Sequence, residues 1–148
     1  MIMMENCWHT TDVRIRYKDT DRMGVVYYGN YLTYFEIGRS EYMRELGLPY
    51  TELETRGYSL VVTEVAAKYH ANVGYDSLVK VKTAITYVRK VRVRFDYEIL
   101  SEENRLLVTG HTVHACINSD LKPVKIPSDM MKIMEERIKR KECSNGKN

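Results

Sequence analysis

Residues 17–31 run Tyr-Lys-Asp-Thr-Asp-Arg-Met-Gly-Val-Val-Tyr-Tyr-Gly-Asn-Tyr, and this stretch organises the rest of the chain. An alternating segment predicts a first strand over residues 13–17, and two carboxylates, Asp19 and Asp21, lie in a predicted turn just after it. Gly24 follows in the same turn, and Gly29 precedes a helical pattern. The stretch therefore predicts a strand, an acidic turn and the start of a long helix, in that order.

The helix is marked by aromatic and apolar residues at spacings of three and four: Tyr31, Phe35, Gly38, Tyr42 and Leu46. Asn30 is the predicted N-cap, and Gly47 followed by Pro49 marks the end. A glycine inside a helix costs about 1 kcal/mol relative to alanine. Gly38 is therefore explained if the helix lies close against a sheet.

Strands dominate the remainder of the chain. Alternating or β-branched segments predict strands over 60–69, 79–87, 91–99 and 106–118, with a hairpin turn at 102–104. A short helical turn over 51–56 and a terminal helix over about 130–140 complete the pattern, and residues 141–148 are expected to fray. The predicted fold class is α+β, with a five-stranded antiparallel sheet and one long helix. Because one helix cannot cover both faces of such a sheet, we expect dimerisation through an edge strand.

Length and composition fit one domain, residues 1–148. The chain has 44% apolar and 29% charged residues, as ordinary soluble globular proteins do. No window approaches 18 consecutive apolar residues, so no membrane span is expected. Three cysteines, far apart and without Cys-x-x-Cys spacing, favour a reduced, cytoplasmic location.

Several classes of site are not expected from the sequence. The four histidines lack metal-binding spacing, so no metal is predicted. No Gly-x-Ser-x-Gly elbow occurs, and the glycines do not match a dinucleotide or phosphate loop. We therefore predict no cofactor.

A basic run is the remaining charged feature: Arg89, Lys90, Arg92 and Arg94. Three interpretations are open, namely a solvated strand face, contacts with phosphate groups of a ligand, and nucleic-acid binding. A net charge of +3 is thin support for the last, and no nucleic-acid partner is predicted.

The acidic turn has two interpretations of its own. Aspartates commonly close turns by bonding their own backbone. A carboxylate near the free amides of a helix N-terminus can also activate water or attack a carbonyl, while the amides stabilise the oxyanion. Asp19 lies two residues before Asp21 and should point away from the same site, so we interpret Asp19 as structural.

The pattern Asp-Thr-Asp-x-x-Gly-Val-Val-Tyr-Tyr-Gly-Asn-Tyr over 19–31, followed by Tyr34, Phe35, Glu36 and Arg39, resembles one known family. It is similar to the 4-hydroxybenzoyl-CoA thioesterase family of hotdog-fold acyl-CoA thioesterases. The resemblance extends over about residues 11–125. It implies a sheet wrapped around the central helix and a homodimer with one continuous sheet. Many members pair further into a dimer of dimers, so the assembly implied here is a homodimer or a homotetramer.

The resemblance also implies roles for individual residues. Asp21 matches the catalytic carboxylate, and the backbone N–H of Tyr28 matches the donor that polarises the thioester carbonyl. Gly29 and Asn30 follow in the motif as substrate-binding residues. One branch of the family has histidine where this chain has Tyr28. Arg89 and Lys90 correspond roughly to the basic strand near the coenzyme phosphates.

The function implied is hydrolysis of an acyl-CoA to a free acid and coenzyme A, with the coenzyme as part of the substrate. Two alternatives remain open at this point. An acyl-carrier-protein thioesterase would keep the chemistry but dock an acidic protein. A non-catalytic acyl-CoA or nucleic-acid binding module would bind without turnover.

Overall fold

The computed structural model describes residues 8–139, which form one antiparallel sheet and three helices. The strands are β1 (His9–Arg14), β2 (Ser59–Tyr69), β3 (Leu78–Arg89), β4 (Arg92–Ser101) and β5 (Leu106–Ile117). The helices are α1 (Asn30–Glu45), α2 (Tyr50–Thr55) and α3 (Ser128–Lys139). The predicted α+β fold, five antiparallel strands with one long helix packed on the sheet, is confirmed.

The sheet has the strand order β1-β3-β4-β5-β2, so β1 and β2 are its edges. β1 pairs with β3 and places Val13 opposite Val79. Beyond this pairing, the Ile15 N–H donates to the Ser77 carbonyl at 2.9 Å. The chain after β1 therefore leaves the sheet beside the first residue of β3. This position fixes where the acidic loop, the segment that contains Asp19 and Asp21, begins.

Helix α1 crosses one face of the sheet at very short range. A Cβ atom on Gly38 would lie 2.6 Å from Cγ1 of Val81, so only glycine fits. One turn later, the Tyr42 hydroxyl accepts a hydrogen bond from the Ile85 N–H at 3.2 Å, where the pairing of β3 with β4 shifts register. The close approach predicted from Gly38 is confirmed.

Two predicted boundaries near the acidic loop are wrong. β1 is His9–Arg14 rather than 13–17, because the chain leaves the sheet and forms a 3-10 turn at Tyr17–Asp19. The N-cap of α1 is Gly29, not Asn30. Asn30 is the first helical residue, and its side-chain amide donates to the Asp19 carbonyl at 2.9 Å.

The other predicted elements are present with small shifts at their ends, including the hairpin turn at 102–104 and the terminal helix. α3 buries Met130 and Met134, and its Arg137 pairs with Glu45 of α1 at 3.3 Å. The predicted fraying of 141–148 lies outside the described residues. Within residues 8–139, no helix is long and apolar enough to cross a membrane.

Candidate active site

Asp19 is the buried carboxylate of the acidic loop. It accepts hydrogen bonds from the Tyr34 hydroxyl at 3.0 Å, the Lys18 ammonium at 3.1 Å and the Arg16 N–H at 3.2 Å. Burial raises the pKa of Asp19, but these three donors outweigh burial and hold the pKa below its usual value. Burial and the Asp19 charge together raise the pKa of Tyr34. Asp19 thus anchors the loop to α1, as expected of a structural residue.

Asp21 is partly exposed and sits in a tight turn. Its N–H donates to the Val25 carbonyl, and its carbonyl accepts the Gly24 N–H, both at 2.9 Å. One carboxylate oxygen, Oδ1, accepts the Met23 N–H at 2.8 Å, which orients the side chain. The other oxygen, Oδ2, accepts no hydrogen bond from residues 8–139. Asp21 therefore holds one oriented oxygen open to water or a substrate.

The start of α1 is tied to this loop through the Asp19 carbonyl. That oxygen accepts the Tyr27 N–H and the Asn30 amide, each at 2.9 Å. The next two backbone N–H groups, of Tyr28 and Gly29, donate to no group within the described part of the chain. They precede a helix of 16 residues, whose aligned peptide dipoles place partial positive charge at this end. Two free donors and one free carboxylate oxygen thus belong to the same short loop.

The side chain of Tyr28 is exposed and packs edge to face against Tyr69, with ring centroids 6.1 Å apart. The Tyr69 hydroxyl donates to the Tyr28 carbonyl at 3.2 Å. Because that carbonyl and the Gly29 N–H share one peptide group, Tyr69 also fixes the direction of the Gly29 donor. The ring of the buried Tyr31 lies 5.7 Å from the Tyr69 ring, so Tyr69 packs between Tyr28 and Tyr31.

The structure does not bring Arg89 and Lys90 near Asp21 within one chain. Both are exposed, at the hairpin that joins β3 to β4. The loop of Asp21 lies at the other end of β3, where the Val26 N–H donates to the Val73 carbonyl at 3.0 Å. β3 has 12 residues, so the two ends are roughly 35 Å apart.

A cavity of about 240 Å³ lies between α1 and the neighbouring strands β5 and β2. Leu32 and Phe35 of α1 form one wall, and Val62 and Val65 of β2 form the opposite wall. Leu32 belongs to the first turn of α1, so the cavity begins one turn from the free N–H groups. Arg39 lines the cavity farther along the same helix.

Arg39 leads a buried row of polar side chains behind this cavity. Its Nη1 donates to the Tyr97 hydroxyl at 3.1 Å. The Tyr97 and Thr112 hydroxyls are 2.6 Å apart, and Thr112 Oγ1 lies 2.9 Å from His114 Nε2. Burial, with a smaller contribution from the Arg39 charge, lowers the pKa of His114 to about 4. His114 is therefore neutral at neutral pH.

Glu36 and Arg39 are three residues apart on α1, a spacing that favours a local ion pair, but the two side chains do not form one. Glu36 is exposed at the mouth of the cavity, whereas Arg39 turns its guanidinium toward Tyr97. The i,i+3 spacing allowed the pair, but the Tyr97 hydroxyl offers Arg39 a buried partner on the sheet.

Larger clefts lie on the opposite face of the sheet, including one of about 820 Å³ lined by Arg92, Arg94 and Asp96. These residues alternate along β4 with the buried Val93, Phe95 and Tyr97, so they belong to the face of the sheet away from α1. Across residues 8–139, no group of three or more His, Cys, Asp or Glu side chains is placed to hold a metal ion.

Sequence reasoning did not identify Tyr34 and Tyr69 as parts of the site. The excess of tyrosine, 12 against 2 phenylalanines, was a signal, because buried tyrosines usually find a hydrogen-bond partner for the hydroxyl. Tyr34 lies three residues from Tyr31 on the packed face of α1, so helical periodicity could have predicted that it is buried. The contact between Tyr69 and Tyr28 joins residues 41 positions apart, so it exists only in the folded chain and no local pattern predicts it.

Comparison with known proteins gives the class of the chain. Residues 15–134 match the family model described as the thioesterase-like superfamily. The chain belongs to this superfamily and is a thioester hydrolase. The family relationship inferred from the motif over 19–31 is confirmed.

Individual relatives agree with this class. The chain is 35% identical over 121 residues to the acyl-CoA thioesterase YbgC of Haemophilus influenzae, covering 80% of this chain and 88% of that protein. It is 28% identical to the putative acyl-CoA thioesterase YneP of Bacillus subtilis, over 77% and 83% of the two chains. A DHNA-CoA thioesterase structure from Staphylococcus aureus has a TM-score of 0.84 at 34% identity, covering 88% of this chain and 90% of that one.

Proposed function

We propose that this enzyme hydrolyses an acyl-CoA thioester to a free carboxylic acid and coenzyme A, without a separate cofactor. The observation that carries the proposal is the loop of residues 19–30, in which the Asp21 carboxylate keeps one free oxygen and the start of α1 keeps two free N–H groups. The relatives named acyl-CoA thioesterases support the same substrate class.

The Tyr28 N–H, assisted by that of Gly29, is the proposed donor to the thioester carbonyl. As the carbonyl oxygen gains negative charge, fixed donors at the positive end of α1 stabilise it without reorganising. Removing one such donor in other enzymes costs about 3 to 4 kcal/mol of transition-state stabilisation. Because the donor is a backbone group, a tyrosine in place of histidine at this position leaves it intact.

Asp21 is the proposed reacting carboxylate, in one of two roles. As a general base, its free Oδ2 takes a proton from water while the water oxygen bonds to the thioester carbon, and the C–S bond then breaks. As a nucleophile, the same oxygen bonds to that carbon and expels the thiolate, leaving a mixed anhydride that water hydrolyses. Both routes end in the same acid and thiol. Thiolate is a good leaving group, so neither route needs a histidine acid.

We further propose a homodimer that pairs through β2, and a tetramer built from two such dimers. β2 is an edge strand with large exposed apolar side chains, among them Val62 at 51% and Val65 at 46% exposure. Antiparallel pairing of two β2 strands brings the Ser59 end of one beside the Tyr69 end of the other. Within each subunit, Ser59 of β2 pairs with Ile117 of β5, and Ala115 of β5 pairs with Arg92 of β4, so the β3–β4 hairpin lies at the Ser59 end of the sheet. Antiparallel pairing therefore places the partner's hairpin at the Tyr69 end, which holds Asp21.

In that dimer, Arg89 and Lys90 are proposed to bind coenzyme phosphates for the active site of the other subunit. Sedimentation at micromolar concentration should show no significant 17.4 kDa species. Replacing both residues by alanine should raise KM for acyl-CoA and leave acyl-pantetheine, which lacks the nucleotide phosphates, unaffected.

The activity itself is tested by following free thiol over a panel of short, long and aromatic acyl-CoAs. Acyl-carrier-protein thioesters of the same acids form a second arm of the panel. Turnover of at least one acyl-CoA that disappears in Asp21→Asn supports the proposal, and turnover of carrier-protein substrates alone contradicts it. The cytoplasmic location stays a prediction from cysteine use.

A further inference from the structure

Arg39 places a positive charge at the wall of the cavity between α1 and β2, with no acidic partner among the described residues. Its Nε atom is buried and makes no hydrogen bond within the described part of the chain. Its Nη1 donates only to a neutral tyrosine hydroxyl, that of Tyr97. None of the ion pairs formed among residues 8–139 includes Arg39.

The groups behind Arg39 do not compensate this charge. Tyr97, Thr112 and His114 form a row of neutral groups at neutral pH. The Tyr50 hydroxyl also faces the guanidinium, outside hydrogen-bond geometry. An unpaired charge taken out of water is unfavourable, so an anion at this position would lower the free energy of the folded protein. Glu36, the acidic residue that lines the cavity, is exposed at its mouth.

The cavity is placed to receive the acyl part of a thioester. It starts at Leu32, one turn from the Tyr28 and Gly29 N–H groups, and extends along α1 to Arg39. Gly29 and Arg39 are ten residues apart along the chain, a rise of roughly 15 Å. Between them, the valines of β2 and the Leu32 and Phe35 side chains offer apolar walls to methylene groups.

We propose that this cavity holds an acyl group that ends in a carboxylate, and that Arg39 is the residue that selects it. This inference rests on the proposed thioesterase function and names a substrate class for it, the mono-CoA thioesters of dicarboxylic acids. A planar guanidinium donates two parallel hydrogen bonds to a carboxylate, which a methyl terminus cannot accept. The contact lies far from the reacting carbon, so it should act on binding and KM rather than on kcat.

Binding can be measured without any hydrolysis. The probes are carboxyalkyl thioethers of coenzyme A in a series of chain lengths, each with the matching alkyl thioether that ends in a methyl group. Thioethers have no carbonyl for the enzyme to attack, so calorimetric titration of the full-length protein reports affinity alone. At the best chain length, we expect the carboxylate to tighten binding by about ten- to hundredfold, the range of a charge-assisted hydrogen bond.

Variants of the cavity test whether Arg39 is the cause. Arg39→Gln should abolish the preference for the carboxylate, and Arg39→Lys should retain part of it. Glu36→Gln removes a negative charge that would repel the ligand carboxylate in the same cavity, so it should increase the preference for the carboxylate. Should Arg39→Gln not fold, the Lys and Glu36 variants still give opposite shifts of one ratio.

The outcomes separate this inference from the proposed function. A series with no chain length at which the carboxylate binds more tightly overturns the inference, and shows that Arg39 meets another anion, such as a carboxylate of a partner subunit. A preference that persists in Arg39→Gln also overturns it. Thiol release from unsubstituted acyl-CoAs tests the thioesterase function separately, because it requires no carboxylate.

Discussion

Asp19 and Asp21 lie two residues apart on one loop, yet the structure treats them in opposite ways. Asp19 is 7% exposed and its carboxylate is bonded by three donors from the protein. Asp21 is partly exposed and accepts one turn amide, which leaves an oxygen free. The Asp19 carboxylate is used to hold the loop in place. The Asp21 carboxylate is oriented by that loop and keeps one oxygen that no described residue bonds.

The difference predicts that these two similar residues are not interchangeable. The Asp19 carbonyl collects the Tyr27 N–H and the Asn30 amide, so the loop and the start of α1 move as one unit. Asp21 takes its orientation from that unit but contributes little to it. Stability should therefore depend on Asp19, and chemistry on Asp21.

The largest expected effect is on turnover in Asp21→Asn. The amide keeps the acceptor for Met23 N–H but can neither take a proton from water nor attack a carbonyl. We expect kcat to fall at least ~100-fold, the order of a general-base loss, with unchanged binding of an alkyl thioether of coenzyme A. Asp12→Asn, an exposed site on β1, is the matched control. A weaker thioether affinity in Asp21→Asn would mean that the loop itself was disturbed.

Asp19→Asn should act on stability. The new amide turns an N–H₂ group toward the Arg16 N–H or the Lys18 ammonium, so a buried donor faces another donor. We expect a loss of about 1 to 3 kcal/mol in the free energy of unfolding, with Tm lower by roughly 2 to 4 °C per kcal/mol. Urea denaturation of this variant beside Asp12→Asn measures it. Equal stability of the two variants would show that the three donors at Asp19 contribute nothing.

The pH dependence of stability separates Asp19 from His114. The pKa of Asp19 is lowered by folding, so its contribution is complete above about pH 4 and is lost as pH falls below that. The pKa of His114 is also lowered, to about 4, so the unfolded chain binds more protons between about pH 6.5 and 4 and stability falls across that window. His114→Gln should flatten the curve between pH 6.5 and 4, and Asp19→Asn only below pH 4. A slope unchanged in His114→Gln would contradict the burial of a neutral imidazole.

Tyr34→Phe should give the smallest effect. It removes one of three donors to Asp19 and leaves the ring in the core, so the expected cost is about 0.5 to 1.5 kcal/mol. Tyr87→Phe, at an exposed position on β3, is the control. A change in kcat larger than the change in stability would indicate that Tyr34 positions the reacting loop as well as anchoring it.

The spacing of apolar residues was sufficient to predict the elements that bury one regular face. The stripe from Tyr31 to Leu46 predicts α1, and Gly38 predicts its contact with the sheet, because both follow from spacing along one helix. The end of β1 was not predictable in this way. Arg16 continues the alternation, but the chain turns there because Asp19 reaches Tyr34 on α1, a contact that only the folded chain creates.

The candidate site divides along the same line. The motif containing Asp21 and Tyr28 is contiguous, so the sequence is sufficient to nominate it. Arg39 also belongs to the motif, but its bond to Tyr97 crosses 58 positions and replaces the local pair that spacing predicts. Within one chain, Arg89 lies at the opposite end of β3 from Asp21. Its proposed role at the site therefore depends on the proposed dimer, and the spacing of residues along one chain does not specify that arrangement.

Thiol release by Asp21→Asn and Asp19→Asn, assayed together on one acyl-CoA with the folded fraction fixed by circular dichroism, tests the division between the two carboxylates most directly. Per folded molecule, Asp21→Asn should be the slower enzyme by at least about tenfold, although it is the more stable protein. If Asp19→Asn is the slower enzyme and Asp21→Asn the less stable protein, the roles are reversed and Asp21 is not the reacting group.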